Sequence, residues 1–274
     1  GRYDEAFRVL EDEKNTNTTL DNKSKGLLMQ QMAEYKNFVD PAEAQEILLS
    51  GQNFNPSILK PINGIRPNKL NCFSGEQGTN VVKFIANNVS NLNGYIIHVN
   101  SILDDLIFAD NSADSFERAI NEIATVIGIH SSRPEKENKK GPDNLWAIGD
   151  LTYFIIECKS GVKPDIAEIS KSDCSQLLSS IQWFENMYAG NNHSCYPIIV
   201  HRATRFDAAA SPDPRMRIMT EERLEQFKVA VRSFAKSIAN DESIAKDAKE
   251  VQKLLRQYKL DGKAIIDAYT IRTK

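Results

Sequence analysis

Cysteine is scarce and scattered. Cys72, Cys158, Cys174 and Cys195 form no CxxC pair, which argues against a structural zinc site and suits four lone thiols in a cytosolic protein. No run of eighteen apolar residues occurs among the 274, so no membrane span is expected. The opening GRYDEAFRVLEDEK is polar and charged. That speaks against a secretory signal, and the expected compartment is cytoplasmic. The first residue is Gly1 rather than Met, as in a processed or excised piece of something longer. Neither sign of charge dominates: 34 Lys and Arg face 37 Asp and Glu, for a net charge of −3. A nucleic-acid surface would therefore have to be local rather than global. There is no GxxxxGK[ST] and no DExD/H box, so the chain carries no helicase motor of its own. SGEQGTNVVKF has glycines and a lysine at the wrong spacing for a phosphate loop. Internal repeats and low-complexity tracts are absent.

What is present reads first as helix. YDEAFRVLEDE, KGLLMQQMAEYKNFV and PAEAQEILLSG, the last closed by Gly51, have helical spacing. The stretch from Gln52 to Asn71, with Pro56, Pro61 and Pro67, is expected to be irregular. NVVKFIANNV reads as a helix and GYIIHV as a short strand, which makes His98 and, further on, His130 strand-end histidines. Asp104 and Asp105 read as helix-capping or solvated carboxylates.

From Ser112 the pattern changes. SADSFERAINEIATVIG carries Phe116, Ile120, Ile123 and Ile127 on one stripe, with Ser112 or Asp114 as cap and Gly128 as stop. IHSSRPEKENKKGP reads as a short strand and a mobile basic turn. DNLWAIGD and LTYFIIECKSG read as two strands joined in a hairpin at Gly149-Asp150. A helix to Gly190, a buried strand YPIIVHR, a short strand MRIMT and a long helix capped by Thr220 follow, with one or two helices after Asp241. The expected fold is α/β: a mixed sheet flanked by helices over 111–240, a mainly helical N-terminal region over 1–110 and a helical tail over 241–274. Trp146 and Trp183 read as core.

One constellation carries chemistry. Asp143 opens a strand after Gly141-Pro142, and Glu157 and Lys159 sit two apart at the end of the most strand-like segment. Side chains alternate along a strand, so Glu157 and Lys159 share a face that Cys158 does not. A hairpin brings Asp143 toward the same face. Two carboxylates and an ammonium then converge at a strand end. Hard oxygen ligands of this kind suit Mg²⁺, with Mn²⁺ as a substitute. Such an ion activates water and neutralises a scissile phosphate. Lys159 would orient the water or stabilise transition-state charge rather than act as a simple base. No small-molecule cofactor is implied.

Gly141-Pro142-Asp143 followed by an apolar strand ending Glu157-Cys158-Lys159 resembles the PD-(D/E)xK nuclease superfamily, which includes restriction endonucleases and Holliday-junction resolvases. The resemblance spans roughly residues 112 to 240. It implies a restriction-endonuclease-like core that hydrolyses DNA phosphodiester bonds with Mg²⁺. By analogy, Asp143, Glu157 and the main-chain carbonyl of Cys158 hold the metal. The preceding helix adds an acid, Glu117 or failing that Glu122, and the following helix turns a polar residue, Gln176, to the site. A basic rim would draw on Lys136, Lys139, Lys140, Lys171, His201, Arg202, Arg205, Arg215 and Arg217. Of these, Lys139, Lys140, Lys171, His201, Arg202 and Arg205 are the candidates for nucleic-acid binding. IHSSRPEKENKKGPDNLW more loosely resembles nuclease domains attached to superfamily 2 helicases in bacterial defence, which implies a helicase or ATPase partner. The N-terminal helices would then dock that partner or restrain the nuclease. The rival readings are a catalytically inactive nuclease fold serving as a DNA-binding or protein-interaction scaffold, and a helical adaptor in which the motif is coincidence.

Overall fold

The computed structural model describes residues 2–62, 69–72, 74–188 and 192–272. The chain divides into two compact units, one up to residue 68 and one from residue 69. The first unit is three helices: α1 (Tyr3–Thr16), α2 (Asn22–Lys36) and α3 (Pro41–Gln52). Asp21 and Asp40 cap the second and third by accepting from the amides of Ser24 (2.7 Å) and Glu43 (3.0 Å). Met29, Met32, Ala33, Ala44 and Leu48 are buried in this unit. α1 buries none of its residues fully and is held in part by Tyr3 stacked on Phe38 at 4.3 Å. Gly51 lies inside α3 rather than ending it.

The second unit is a mixed α/β body around a six-stranded sheet in the order β1-β2-β3-β4-β5-β6. The strands are β1 (His130–Ser132), β2 (Asn144–Gly149), β3 (Thr152–Cys158), β4 (Ser194–Val200), β5 (Arg217–Met219) and β6 (Ile271–Arg272). β1 to β3 are antiparallel neighbours, β3 to β5 run parallel, and β6 closes the far edge antiparallel. The hairpin between β2 and β3 turns through Asp150 and Leu151, both at positive φ (49° and 53°), after Gly149 at 102°. Two left-handed central residues give the turn a twist that matches its strands.

β3 is buried along its whole length, and each of its faces packs against helices. Phe154, Ile156 and Cys158 join Trp146 against α6 (Ala113–Val126) and α9 (Glu221–Ala239). Tyr153 and Ile155 join Leu145 and Ala147 against α8 (Lys171–Met187). Burying these side chains, at about 1.5–3 kcal/mol each for the larger ones, fixes the register, because a slip of one residue would exchange the faces. Thr220 caps α9 by accepting from the Arg223 amide.

Four further expectations change. GYIIHV is not a strand but part of α5 (Leu92–Asp104), following α4 (Gln77–Asn88). Asn91 accepts from the Gly94 amide (2.8 Å), and Tyr95, Val99, Ile102 and Leu103 bury one helical face. A short apolar run rich in β-branched residues does not separate strand from buried helix, and the longer 3.6 period decides it. His98 is accordingly helical and stacks on Phe84 at 5.8 Å. Second, the basic turn after β1 contains a short helix, α7 (Pro134–Asn138), with Pro134 in its first turn and Glu137 reaching back to the Arg133 amide (2.8 Å). Third, the units divide near 68 rather than 110, and the tail is not separate. α4, α5, α10 (Ala248–Gln257) and α11 (Ala264–Tyr269) share one core with α6 and α9, and the tail supplies β6. Fourth, α8 stops at Met187 with Tyr188 at its C-cap; Gly190 lies outside the described residues. Among the described residues no helix is long and apolar enough to cross a membrane.

Gly141 holds the turn into β2 at φ 99°, where an added Cβ would come within 2.9 Å of Pro134 and of the Trp183 ring. Gly141→Ala is therefore expected to cost about 2 kcal/mol, from backbone strain and overpacking together. Urea denaturation would show a lower midpoint with an unchanged slope. A midpoint equal to that of the parent chain would mean the turn yields freely.

Candidate active site

Asp143 stands just before β2 and Glu157 one residue from the end of β3. Asn144 pairs with Ile156, so Asp143 comes level with Glu157. The two carboxyl groups make direct contact, and both are buried, Asp143 5% and Glu157 0% exposed. Asp143 Oδ2 accepts from the Cys158 amide (2.7 Å), which locks the start of β2 to the end of β3. Glu157 Oε1 accepts from Ser180 Oγ (2.6 Å), while Oε2 is buried with no hydrogen-bond partner. Lys159 Nζ donates to Gln176 Oε1 (2.5 Å) and lies 3.9 Å from Asp173. Asp173, Gln176 and Ser180 recur at helical spacing, so one stripe of α8 fronts the site.

The electrostatics follow from this packing. Burial, then the negative charge of Glu157, pushes the Asp143 carboxyl well above the usual carboxylate range. Burial also raises Glu157, against the lowering influence of the Ser180 hydrogen bond and of Lys159. Two carboxyls in contact in a dry site do not both ionise cheaply, so the pair retains a proton unless a cation replaces it. A third acid, Glu135 on α7, lies close enough to Asp143 to raise it further and also acts on Glu157. The Cys158 thiol is buried on the opposite face and raised well above its ordinary value, first by burial; only its backbone takes part.

Glu117 is on α6, as expected, but its carboxylate is bound to Arg133 at 2.7 Å, and its carbonyl accepts from Asn144 Nδ2 (3.0 Å). Glu122 is half-buried beside Arg118 at 3.7 Å. Among the described residues, no three His, Cys, Asp or Glu side chains form a ready cage for a metal ion. That is not what Mg²⁺ requires, since it takes one or two carboxylates and keeps several waters. The unpartnered, fully buried Glu157 Oε2 beside Asp143 fits such an ion.

The basic rim is partly withdrawn. Lys139, Lys140, Lys171 and Arg205 are exposed, Arg205 beside Glu168 at 3.1 Å. His201 is not open: it is 1% exposed, its Nδ1 accepts from the Ala203 amide (2.8 Å), and burial lowers its pKa. Arg202 donates to the Phe108 carbonyl (2.8 Å) and stacks over the Phe108 ring, so it serves the fold. Arg215 is tied to Asp213 and Glu185, and Arg217 to Thr270 and Ile266. The structure adds Ser180, Asp173 and Glu135 to the residues foreseen. Ser180 and Asp173 sit four after and three before Gln176, a spacing that could have found them. Glu135 is one of several charges in RPEKENKK and carried no signal.

No family model matches the chain, and no curated protein or solved structure matches it either.

A raised folded-state pKa means that the folded form holds its proton more tightly than the unfolded one. The stability this gives is fully present below the ordinary carboxylate value of 3.8 and is lost as pH rises through the raised value. In EDTA, the melting temperature is expected to fall from pH 5 to pH 8. Asp143→Asn should flatten that fall and raise the pH 8 value by about 3–6 °C, equivalent to roughly 1–2 kcal/mol. A variant that melts below the parent at pH 8 would contradict a strained pair.

Proposed function

We propose that the chain is a metal-dependent deoxyribonuclease with a restriction-endonuclease-like core, as its resemblance to the PD-(D/E)xK superfamily implies. The observation that carries this reading is the meeting of Asp143, Glu157 and Lys159 at one strand end, with a buried carboxylate oxygen left without a partner. Asp143 and Glu157 would hold Mg²⁺ or Mn²⁺, which supplies a polarised water and neutralises phosphate charge. Asp143 is aimed by the Cys158 amide and Glu157 by Ser180. Lys159, steadied by Gln176 and Asp173, offers its ammonium to the charge that develops on the phosphate oxygens. Exposed Lys139, Lys140, Lys171 and Arg205 would hold the DNA backbone without reading its sequence. Leu27, Phe38, Leu49, Leu59 and Ile62 are exposed apolar side chains on the N-terminal helical unit. They suit the docking of a helicase or ATPase partner in anti-phage defence or DNA processing. The second reading, an inactive nuclease fold used as a scaffold, draws on the lack of a ready metal cage among the described residues.

The test is cleavage of plasmid and single-stranded DNA in Mg²⁺, Mn²⁺ or EDTA. Metal-dependent cutting is expected, with Asp143→Ala and Lys159→Ala each lowering it by about 10²–10³-fold or more. Cutting that survives both substitutions would place the chemistry elsewhere. If the parent chain does not cut and shows no Mn²⁺ binding sensitive to Asp143→Ala, the scaffold reading stands.

A further inference from the structure

Glu135 and Glu117 compete for the role of additional acid, and their surroundings differ. Glu117 sits on the helix that packs against the Cys158 face of the sheet, and its carboxylate is bound to the half-buried Arg133 guanidinium at 2.7 Å. Moving it onto a metal would strip that arginine of a partner while its Nε already has none. Glu135 is exposed, and its carboxyl lies close to that of Asp143. Its amide donates to the Pro142 carbonyl (3.2 Å), which ties α7 to the residue before Asp143. Buried Pro134 lies close against Gly141 at the same turn, where an added Cβ would meet it at 2.9 Å. Glu135 is thus delivered to the site by its own backbone.

The second observation is Glu157 Oε2. It is fully buried, has no hydrogen-bond partner and belongs to a carboxylate in contact with Asp143. Asp143, Glu157 and Glu135 together carry three acids. The lysine nearest them, Lys159, is spent on Gln176 and Asp173. A divalent cation would replace the proton that the Asp143–Glu157 pair otherwise keeps and would bring the three acids onto one centre.

We propose that Glu135, and not Glu117, is the third carboxylate of the cation site. It turns its exposed side chain from Asp143 onto the ion or onto one of the ion's waters. The inference rests on the metal-dependent reading of the site given above.

Mn²⁺ alone is the probe, titrated by electron paramagnetic resonance into the full chain and into Glu135→Gln, Glu135→Asp, Glu117→Gln and Asp143→Asn, each checked by thermal melting. Glu135→Gln is expected to weaken Mn²⁺ binding by about 10-fold or more, with Glu135→Asp between it and the parent, and Glu117→Gln to change it by less than about 3-fold. Glu135→Gln binding like the parent while Asp143→Asn loses the ion would overturn the assignment and leave the nuclease reading intact. Loss on Glu117→Gln with Glu135→Gln unaffected would give the role to Glu117. Binding indifferent to Asp143→Asn, or absent from the parent, would overturn both.

Discussion

The 2.7 Å hydrogen bond from the Cys158 amide to Asp143 Oδ2 joins the end of one strand to the turn that opens its neighbour. Everything at the site depends on that crossing. It uses a backbone donor at a residue whose side chain faces away, so Cys158 serves both faces of the sheet at once. The register of β2 on β3 sets Asp143 level with Glu157. The apolar residues that enforce this register, Leu145, Ile155 and Tyr153 on one side and Trp146, Phe154 and Ile156 on the other, are core. Packing of the sheet therefore fixes Glu157 directly, and fixes Asp143 through the turn that the Cys158 amide locks to the end of β3.

That placement has a cost. Two buried carboxyls in contact oppose their own ionisation, and the pair is a locally destabilising element that the large shared core must offset. Groups that only built the fold would be expected to pair acid with base, as Arg133 does with Glu117 or Arg215 with Asp213. Asp143 and Glu157 do not. Local conflict inside an otherwise consistent structure is where a bound ion or a reaction is to be sought.

Much of this was legible in the sequence because it depends on short-range rules. The hairpin at Gly149-Asp150, the alternation that puts Glu157 and Lys159 on one face and the cap at Thr220 follow from local geometry. What was illegible depends on long-range packing. GYIIHV is a short, β-branched apolar run that fits a strand or a buried helix equally, and only the burial of Tyr95, Val99, Ile102 and Leu103 against one core shows that the helical period governs. The tail after Asp241 reads only as one or two charged helices, separate from the core. Its Val251, Leu255, Ile265 and Ile266 nonetheless belong to the same core as α6, and Ile271 pairs with Ile218 at the sheet edge. Arg202 and His201 look like a basic surface in sequence, but a strand that ends inside the molecule leaves the next residues buried.

Face parity also decides which helices can reach the centre. Asp143, Glu157 and Lys159 project to the side where α8 lies, so α8 supplies Ser180, Gln176 and Asp173 directly. α6 lies on the other side and meets β2 through Asn144, whose side chain donates to the Glu117 carbonyl. A carboxylate on α6 must reach around the end of the sheet to arrive at the same point, and Arg133 intercepts Glu117 on the way. The segment between β1 and β2 has no such detour. It runs past the open end of the hairpin, its Glu135 amide bonds to Pro142, and the acid it carries meets Asp143. The side of the sheet from which an acid approaches, more than its place in the sequence pattern, sets its access to the Asp143–Glu157 pair.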